Sequence, residues 1–304
     1  MKEKSYPLVG NCAIQEKLES ILKNDDASHA YIFYGPRHVG KRTFAQRFAK
    51  KLIQKSLSWF EEEDSAQFVQ NAIVRIQPER DPKEEKVNSE IKIESIRKMR
   101  RLLAVGNTRE RKICIIEDAN AMNSESQNAI LKVLEEPKEG VIFLLVSDTL
   151  GGLLPTVISR CQTLAFSLVG DEDMIRYKQE KEYVGDFERI ISLSFGRPGR
   201  MIQCIEDENF LKQRDVLMRF LGSFRRRSLF EKISFAEKIS TKPERLRELL
   251  EDWIELERRK SRIYNQDLLR ESYEYIEKLE GSYQTLRQTR VNEKRIMSAL
   301  FLSL

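Results

Sequence analysis

Cysteine is scarce in this sequence, with four among 304 residues. The four are Cys12, Cys114, Cys161 and Cys204, so no two have the CxxC spacing that brings a pair of thiolates to one metal ion. Their wide spacing also argues against a disulfide framework. Isolated cysteines are typical of a reducing compartment, and we expect a cytoplasmic protein.

Long apolar segments are missing as well. The N-terminal segment MKEKSYPLVGNC has no apolar core of the kind that a signal peptide needs. The most apolar stretch begins at Val141 and is interrupted by Asp148, Gly151, Gly152 and Pro155. It is too broken for a membrane span, and we expect no membrane partner.

A large excess of charge of either sign is also absent. Lys and Arg total 53 against 48 Asp and Glu, a net charge of +5. This balance does not identify a nucleic-acid-binding protein, although it leaves local basic patches such as Arg225–Arg227 open. With 40% hydrophobic residues, the composition is that of a globular protein of two or three domains.

The first half of the chain contains a series of short apolar runs: YIFY at 31, AIVRI at 72, KICII at 112, VIFLLV at 141 and TLAF at 163. None alternates cleanly with polar residues, which is typical of parallel strands buried on both faces. The segments between the runs are long enough for crossover helices. One predicted helix follows residue 40 and carries the apolar stripe Phe44, Phe48 and Leu52, and another runs from about Ser124, carries Ile130, Val133 and Leu134, and stops at Pro137. The pattern predicts an α/β fold with a parallel sheet over about the first 165 residues.

From about Val169 the sequence has the period of helices rather than strands. One apolar stripe consists of Leu246, Leu249, Leu250, Trp253 and Ile254, and a second consists of Leu269, Tyr273, Ile276, Leu279, Tyr283 and Leu286. Charged residues alternate with both stripes, as expected for helices packed in a bundle. We therefore predict an all-helical C-terminal region.

The stretch YIFYGPRHVGKRTF has the GxxxxGK spacing of a phosphate-binding loop after a strand. Gly35 and Gly40 let backbone N–H groups face phosphates, and Lys41 neutralises phosphate charge. The hydroxyl that ligates magnesium is missing, because Arg42 occupies its place and Thr43 follows one residue late, turned by about 100° on the helix. A plain strand–turn–helix corner does not explain this spacing. We predict a P-loop without ATPase activity, which requires no cofactor and for which binding of ATP or ADP is doubtful.

A second strand end presents the acidic pair Glu117 and Asp118, within KICIIEDANAM. P-loop enzymes place an aspartate there for magnesium, with a neighbouring glutamate to orient the attacking water. Here the two acids are in reversed order, so each carboxylate is displaced by about one methylene, roughly 1.5 Å, and errors of about 1 Å are severe in catalysis. A pair of solvated acids at a strand end is the alternative.

Five segments, taken in order, resemble the delta-prime subunits of the bacterial DNA polymerase III clamp loader, a family in the AAA+ class. They are SHAYIFYGPRHVGKRTFAQRFAK, IKIESIRKMRRLL, KICIIEDANAMNSESQNAILKVLEEP, VIFLLVSDTLGGLLPTVISRCQTLAF and LSFGRPGRMIQ, and they span about Leu8 to Ile202. The resemblance implies a P-loop AAA+ domain at 1–168, a small helical lid at 169–206 and an all-α collar domain at 207–304. The last hundred residues resemble the family only as an all-helical domain.

The resemblance also implies site residues. In the family, the SRC tripeptide supplies an arginine finger to the nucleotide site of the adjacent subunit, and Arg160 has that position here. Without the resemblance, Arg160 is better explained as a surface arginine before the strand TLAF. Ser147 corresponds to a first sensor residue, and Arg197 or Arg200 falls near the sensor arginine of the lid.

The implied function is to help load a sliding clamp onto primed DNA during DNA replication. The implied partners are the gamma/tau motor subunits, a delta subunit, the clamp and primer–template DNA, with the chain in a hetero-oligomeric ring. Many relatives carry a four-cysteine zinc module after the P-loop, but residues 42–113 contain no cysteine, so we expect no zinc and no other metal. Two alternatives stay open: an active gamma/tau-like ATPase motor, and a non-catalytic helical interaction protein on a derelict P-loop fold.

Overall fold

The computed structural model describes residues 8–56, 72–78, 90–104, 111–181, 183, 185–240, 243–261, 266–288 and 299–300. The chain divides into two compact units. The first comprises Met1–Tyr183 with Gly196–Arg200, and the second comprises Val184–Phe195 with Met201–Leu304. The three-domain boundaries expected from the sequence stay a prediction.

The first unit is built on a parallel five-stranded sheet. Its strands are β1 (Ala30–Tyr34), β2 (Ile73–Ile76), β3 (Lys112–Ile116), β4 (Val141–Ser147) and β5 (Gln162–Ala165). They lie in the order β2-β3-β4-β1-β5, and each neighbouring pair is parallel. Strands β1, β3 and β4 are buried almost throughout, which explains their continuous apolar sequences. The predicted parallel α/β fold and its five strands are confirmed.

Helices cover both faces of this sheet. The described part of the first unit contains the helices α1 (Cys12–Asn24), α2 (Lys41–Ser56), α3 (Ile93–Ala104), α4 (Ser124–Glu135), α5 (Pro155–Ile158) and α6 (Asp171–Lys181), and residues of α1 to α5 belong to the two cores on the sheet. Side chains of β1 alternate between the faces, so Tyr31 packs with Phe48 of α2. Ile32 belongs to the core on the other face, with Met99 of α3 and Ile130 of α4. The apolar stripes predicted for α2 and α4 are thus the faces that cover the sheet.

Helix α4 begins where the sequence predicts. The side chain of Asn123 accepts a hydrogen bond from the backbone N–H of Ser126 at 2.9 Å, which satisfies one of the free donors of the first turn. Helix α4 ends at Glu135, two residues before Pro137. It is therefore positioned by a cap at one end and a proline after the other.

Helices continue through the rest of the described chain. They are α7 (Phe187–Ser194), α8 (Pro198–Glu206), α9 (Glu208–Gly222), α10 (Leu229–Ser240), α11 (Pro243–Ser261) and α12 (Gln266–Gln288). The predicted helical C-terminal region is therefore confirmed. The five residues of the first predicted stripe are all buried on α11. No helix in the described ranges has the length and apolar character that crossing a bilayer requires.

The second stripe needs one correction on α12. Tyr273 is 62% exposed, whereas Tyr275 is 6% exposed and its ring centroid lies 5.9 Å from that of Trp253. The buried arc of α12 includes Tyr275, Ile276 and Leu279, and Tyr273 lies outside it by its angle on the helix. The prediction that Tyr273 lies in the core was wrong. A residue three positions before Ile276 can lie at the edge of the buried face or just outside it, and the spacing in the sequence does not distinguish the two.

Candidate functional site

The loop predicted to bind phosphate, residues 35–40, joins β1 to α2 at the carboxyl edge of the sheet. Strand β1 lies next to β4, and Tyr34 is paired with Ser147 at the end of both strands. Strand β3 lies on the other side of β4 and ends immediately before Glu117. Ligands of open parallel sheets bind at this edge. The structure therefore brings the loop and the two strand ends to the edge expected for a ligand site.

Gly35 and Gly40 have backbone conformations that side chains rarely adopt, with φ of +142° and +97°. A Cβ at Gly35 would lie 2.2 Å from the backbone oxygen of Phe166, so only glycine fits there. His38 has φ of +61°, an uncommon conformation for a residue with a side chain. The backbone N–H of Gly199 donates a 2.8 Å hydrogen bond to the His38 carbonyl, which ties the loop to the start of α8.

Lys41 is the first residue of α2, and its side chain is bound by its own chain. Its Nζ donates to the backbone oxygens of Gly35 at 2.7 Å and Pro36 at 2.6 Å. A third contact, of 3.2 Å, reaches Oδ1 of Asp148. Burial lowers the pKa of the Lys41 ammonium, and the neighbouring Asp148 partly offsets this effect. Three oxygens therefore satisfy the three N–H donors of the ammonium within the loop.

Asp148 is a site residue that was missed at the sequence level. It follows β4 directly and accepts a 2.6 Å hydrogen bond from Nε of Arg37 at Oδ2, while Oδ1 faces Lys41. Burial alone would raise the pKa of Asp148, but Arg37 and Lys41 together hold it below its usual value of 3.8. Its position could have identified it as a site residue, because it follows Ser147 directly and polar residues just after parallel strands lie at the edge of the sheet where ligands bind.

We expect Asp148→Asn to lower the free energy of unfolding by about 1–2 kcal/mol at neutral pH, because a charge-assisted hydrogen bond is lost. The pKa of Asp148 is depressed in the folded state. Its contribution is therefore complete above the unfolded pKa and is lost as the pH falls through the folded pKa. Denaturant unfolding from pH 7 to pH 3 should show the two curves converging below about pH 4.

Asp173→Asn is the matched control, because its carboxylate pairs with Arg176 at 3.5 Å on the surface of α6. It should leave stability nearly unchanged at every pH. A difference between wild type and Asp148→Asn that persists unchanged to pH 3 would contradict the assignment of the effect to the Asp148 charge.

Arg42 and Glu117, which stand where P-loop enzymes have their magnesium ligands, contact each other. Nε of Arg42 lies 2.9 Å from Oε1 of Glu117. The Arg42 side chain is 58% exposed, whereas that of Glu117 is 8% exposed. Burial raises the pKa of Glu117, and Arg42 partly offsets this effect. Glu117 and Asp118 are therefore not a pair of solvated acids, because only Asp118 is exposed. Thr43 lies half-buried in the first turn of α2.

Ser147 connects two turns at the carboxyl edge. Its Oγ is within hydrogen-bonding distance of Oδ1 of Asn120 at 2.8 Å and of the Thr149 carbonyl at 2.6 Å. The same Asn120 oxygen accepts from the backbone N–H of Asp148 at 3.2 Å. Asn120, which the sequence did not single out, thus links the turn after β3 to the turn after β4. The Ser147 hydroxyl therefore contacts residues of both turns.

Arg160 lies in the turn between α5 and β5, and its side chain is 34% exposed. Its Nη1 donates to the carbonyl of Thr156 at 3.0 Å, and its Nη2 lies 2.8 Å from Oε1 of Glu135 at the end of α4. The guanidinium is thus held by two elements while part of it faces solvent. Glu135 was not singled out from the sequence.

The two candidate sensor arginines near the start of α8 are both buried, Arg197 with 3% and Arg200 with 1% of its surface exposed. Their segment belongs to the first unit. Within the described ranges, no group of three or more His, Cys, Asp or Glu side chains is arranged to hold a metal ion. The expected absence of zinc stays a prediction.

A parallel sheet with a GxxxxGK loop between one of its inner strands, β1, and the following helix defines a P-loop α/β protein. The sequence profile of one family, described as DNA polymerase III, delta subunit, matches residues 10–169. That is a little over half of the chain, which therefore belongs to this family.

Curated relatives agree with this family. DNA polymerase III subunit delta' of Pseudomonas aeruginosa is 30% identical over 176 residues, covering 56% of this chain and 54% of that protein. The protein of the same name from Haemophilus influenzae is 32% identical over 130 residues, covering 42% and 39%. The chain spans about half the length of the curated relatives it matches.

A solved structure resembles more of the chain. A DNA polymerase III gamma subunit-related protein from Thermotoga maritima aligns over 94% of this chain and 97% of that chain, with 18% identity and a TM-score of 0.45.

Proposed function

We propose that the chain is a delta-prime-like subunit of the DNA polymerase III clamp loader. It helps load the sliding clamp onto primed DNA during replication in the cytoplasm, and it does not hydrolyse ATP itself. Family membership and relatives named delta' support the first part. One observation carries the proposal that the chain does not hydrolyse ATP: Arg42 contacts Glu117. These two residues stand at the two positions that bind magnesium in P-loop enzymes.

The first test is ATP turnover by the isolated chain, compared with its Lys41→Ala variant. We expect the same background rate from both, because Lys41 is bound to loop oxygens and Asp148. Magnesium-dependent turnover that disappears in Lys41→Ala would instead support an active gamma/tau-like motor.

A second test addresses partners. The proposed ring contains gamma/tau motor subunits and a delta subunit, so the purified chain should form a hetero-oligomer with them in size-exclusion chromatography. Failure to form any such complex would favour the alternative of a helical interaction protein with no role at a clamp.

Within the ring, Arg160 is proposed as a finger that stabilises charge on the phosphoryl group transferred in the adjacent subunit. A guanidinium is always charged and offers five donors in a plane, so it keeps donors for a phosphate while Thr156 and Glu135 hold it. Ser147 is proposed as a sensor that links the loop edge to Asn120. Arg200 is proposed as the lid arginine, and Arg197 is the other candidate.

A basic face on α3 supports contact with the phosphate backbone of primer–template DNA. Arg97, Lys98, Arg100 and Arg101 are all exposed, and Glu94 is the acidic residue in the first turn of α3. In the part of the chain that the structure describes, none of the four forms an ion pair. Unpaired exposed cations at helical spacing release counterions when they meet phosphates.

We expect the double variant Arg97→Gln/Arg101→Gln to weaken binding of the assembled loader to primed DNA and to flatten its salt dependence. Each lost phosphate contact reduces the slope of log K against log salt by about 1, so the pair should reduce it by about 2. Fluorescence anisotropy between 50 and 200 mM salt would measure the slope.

Arg176→Gln/Arg219→Gln is the matched control, because both arginines are exposed but paired on their own helices. It should leave the slope unchanged. An unchanged slope for Arg97→Gln/Arg101→Gln would remove α3 from the proposed DNA contact.

A further inference from the structure

The residues at the two positions that bind magnesium in P-loop enzymes contact each other in this chain. In that class, the metal is bound by the hydroxyl residue directly after the P-loop lysine and by an aspartate at the end of a neighbouring strand. The corresponding residues are Arg42 and Glu117, and their side chains are 2.9 Å apart. A guanidinium has no acceptor for a metal. The residues present therefore do not fit a magnesium-bound nucleotide.

The contact has a physical cause in the burial of Glu117. A carboxylate removed from water is costly unless a cation compensates it. Glu117 is 8% exposed, and Arg42 reaches it from a largely exposed position at the second residue of α2. Arg42 thus supplies, from within the chain, the largest share of the positive charge that compensates this buried acid, and Arg75 adds to it.

The same edge carries two more fixed cations. Arg37 and Lys41 both contact Asp148, at 2.6 and 3.2 Å. The loop and the first turn of α2 therefore combine three cationic side chains, of which Arg37 and Lys41 share the Asp148 carboxylate and Arg42 pairs with Glu117. These side chains, rather than a metal ion, are the cations at the edge where a phosphate would bind.

We propose that the Arg42 guanidinium is a built-in replacement for the divalent cation, so that the loop keeps its structure without metal and any nucleoside phosphate that enters it binds without magnesium. This inference rests on the proposed non-hydrolysing role. It goes further by naming the one residue that excludes the metal and the class of ligand that the loop can still accept, a metal-free nucleoside di- or triphosphate.

Thermal unfolding of the full chain, without any ligand, tests the proposal that Arg42 takes the place of the metal ion. Arg42→Thr should lower the melting temperature by about 2–4 °C, because the buried Glu117 loses the stronger of the two cations that act on it, Arg42 and Arg75. Adding Glu117→Gln to Arg42→Thr should restore most of the loss, and Arg42→Lys, which keeps the charge, should lose less than Arg42→Thr. Additive effects of Arg42→Thr and Glu117→Gln would show that the two side chains are not coupled, and would overturn the proposal.

Nucleotide affinity tests the exclusion of metal. For wild type, the dissociation constants for ADP and ATP should be measurable in EDTA and should agree within about twofold with those in millimolar magnesium. Undetectable wild-type binding in EDTA would overturn the proposal. The variant Arg42→Thr/Glu117→Asp restores a hydroxyl and an aspartate to the two positions, and it should bind roughly tenfold or more tightly with magnesium than with EDTA. Tighter wild-type binding in magnesium by that factor would overturn the proposal. So would a variant that binds no nucleotide or shows no effect of magnesium.

The two proposals fail in different ways. Turnover by the wild-type chain that depends on Lys41 would contradict the proposed function itself. Magnesium-dependent binding by wild type without turnover would contradict only the replacement of the metal by Arg42.

Discussion

Arg160→Ala is expected to reduce ATP hydrolysis at the adjacent subunit's site about 10³-fold in the reconstituted clamp loader, because a finger arginine contributes a factor of that size or more. The guanidinium stabilises charge only in the transition state, so binding of ATP to the neighbour should change far less than turnover. The measurement is hydrolysis by an assembly in which the P-loop lysines of the other motor subunits are replaced, which isolates the site that Arg160 reaches.

Two further variants separate the finger from a surface arginine. Arg160→Lys keeps the charge but loses the planar fork, and it should recover little of the turnover. Arg176→Ala removes an exposed arginine that pairs with Asp173 on α6, and it should leave turnover unchanged. If Arg160→Ala hydrolyses ATP at the wild-type rate in the assembled ring, the finger assignment is wrong.

Asp252→Ala is expected to lower the free energy of unfolding of the second unit by about 3–5 kcal/mol, because it leaves a buried arginine without its counter-ion. Nη1 of Arg214 lies 2.8 Å from Oδ2 of Asp252, and the two side chains are 5% and 1% exposed. Nε of Arg214 also donates to the carbonyl of Leu193. Denaturant unfolding followed by fluorescence of Trp253, in a Trp59→Phe background, reports on this unit.

The matched control is Glu208→Ala, which removes a solvent-exposed pair with Lys212 at 2.8 Å on α9 and should cause no measurable change. The double variant Arg214→Met/Asp252→Leu should recover most of the loss, since apolar side chains of similar size replace both buried charges. A loss for Asp252→Ala as small as that of the control would show that the buried pair contributes little.

Much of the architecture was predictable from local pattern. A strand buried on both faces has a continuous apolar sequence, so β4 was visible as VIFLLV. An amphipathic helix repeats its apolar residues every three or four positions, so Phe44, Phe48 and Leu52 identified the face of α2. The spacing of Gly35, Gly40 and Lys41 likewise predicted the loop.

The partners of the charged residues were not predictable in this way. Lys41 and Asp148 are 107 residues apart in the sequence, and β2, α3 and β3 lie between Arg42 and Glu117. Each of these residues except Asp148 was considered from the sequence, but none of the contacts was. These contacts form because β3, β4 and β1 are neighbours in the sheet. The periodicity of apolar residues within one strand or helix carries no information about that strand order.

The amino-acid sequence by itself determined the parallel α/β architecture, the glycine-shaped loop and the helical character of the second half, because each follows from backbone geometry over a few consecutive residues. Only the tertiary structure decided that Arg42 neutralises Glu117, that Asp148 binds the P-loop lysine and that Glu135 holds Arg160. Ion pairs and hydrogen bonds act over less than about 4 Å, so they exist only after folding has brought distant strand ends and helix ends together.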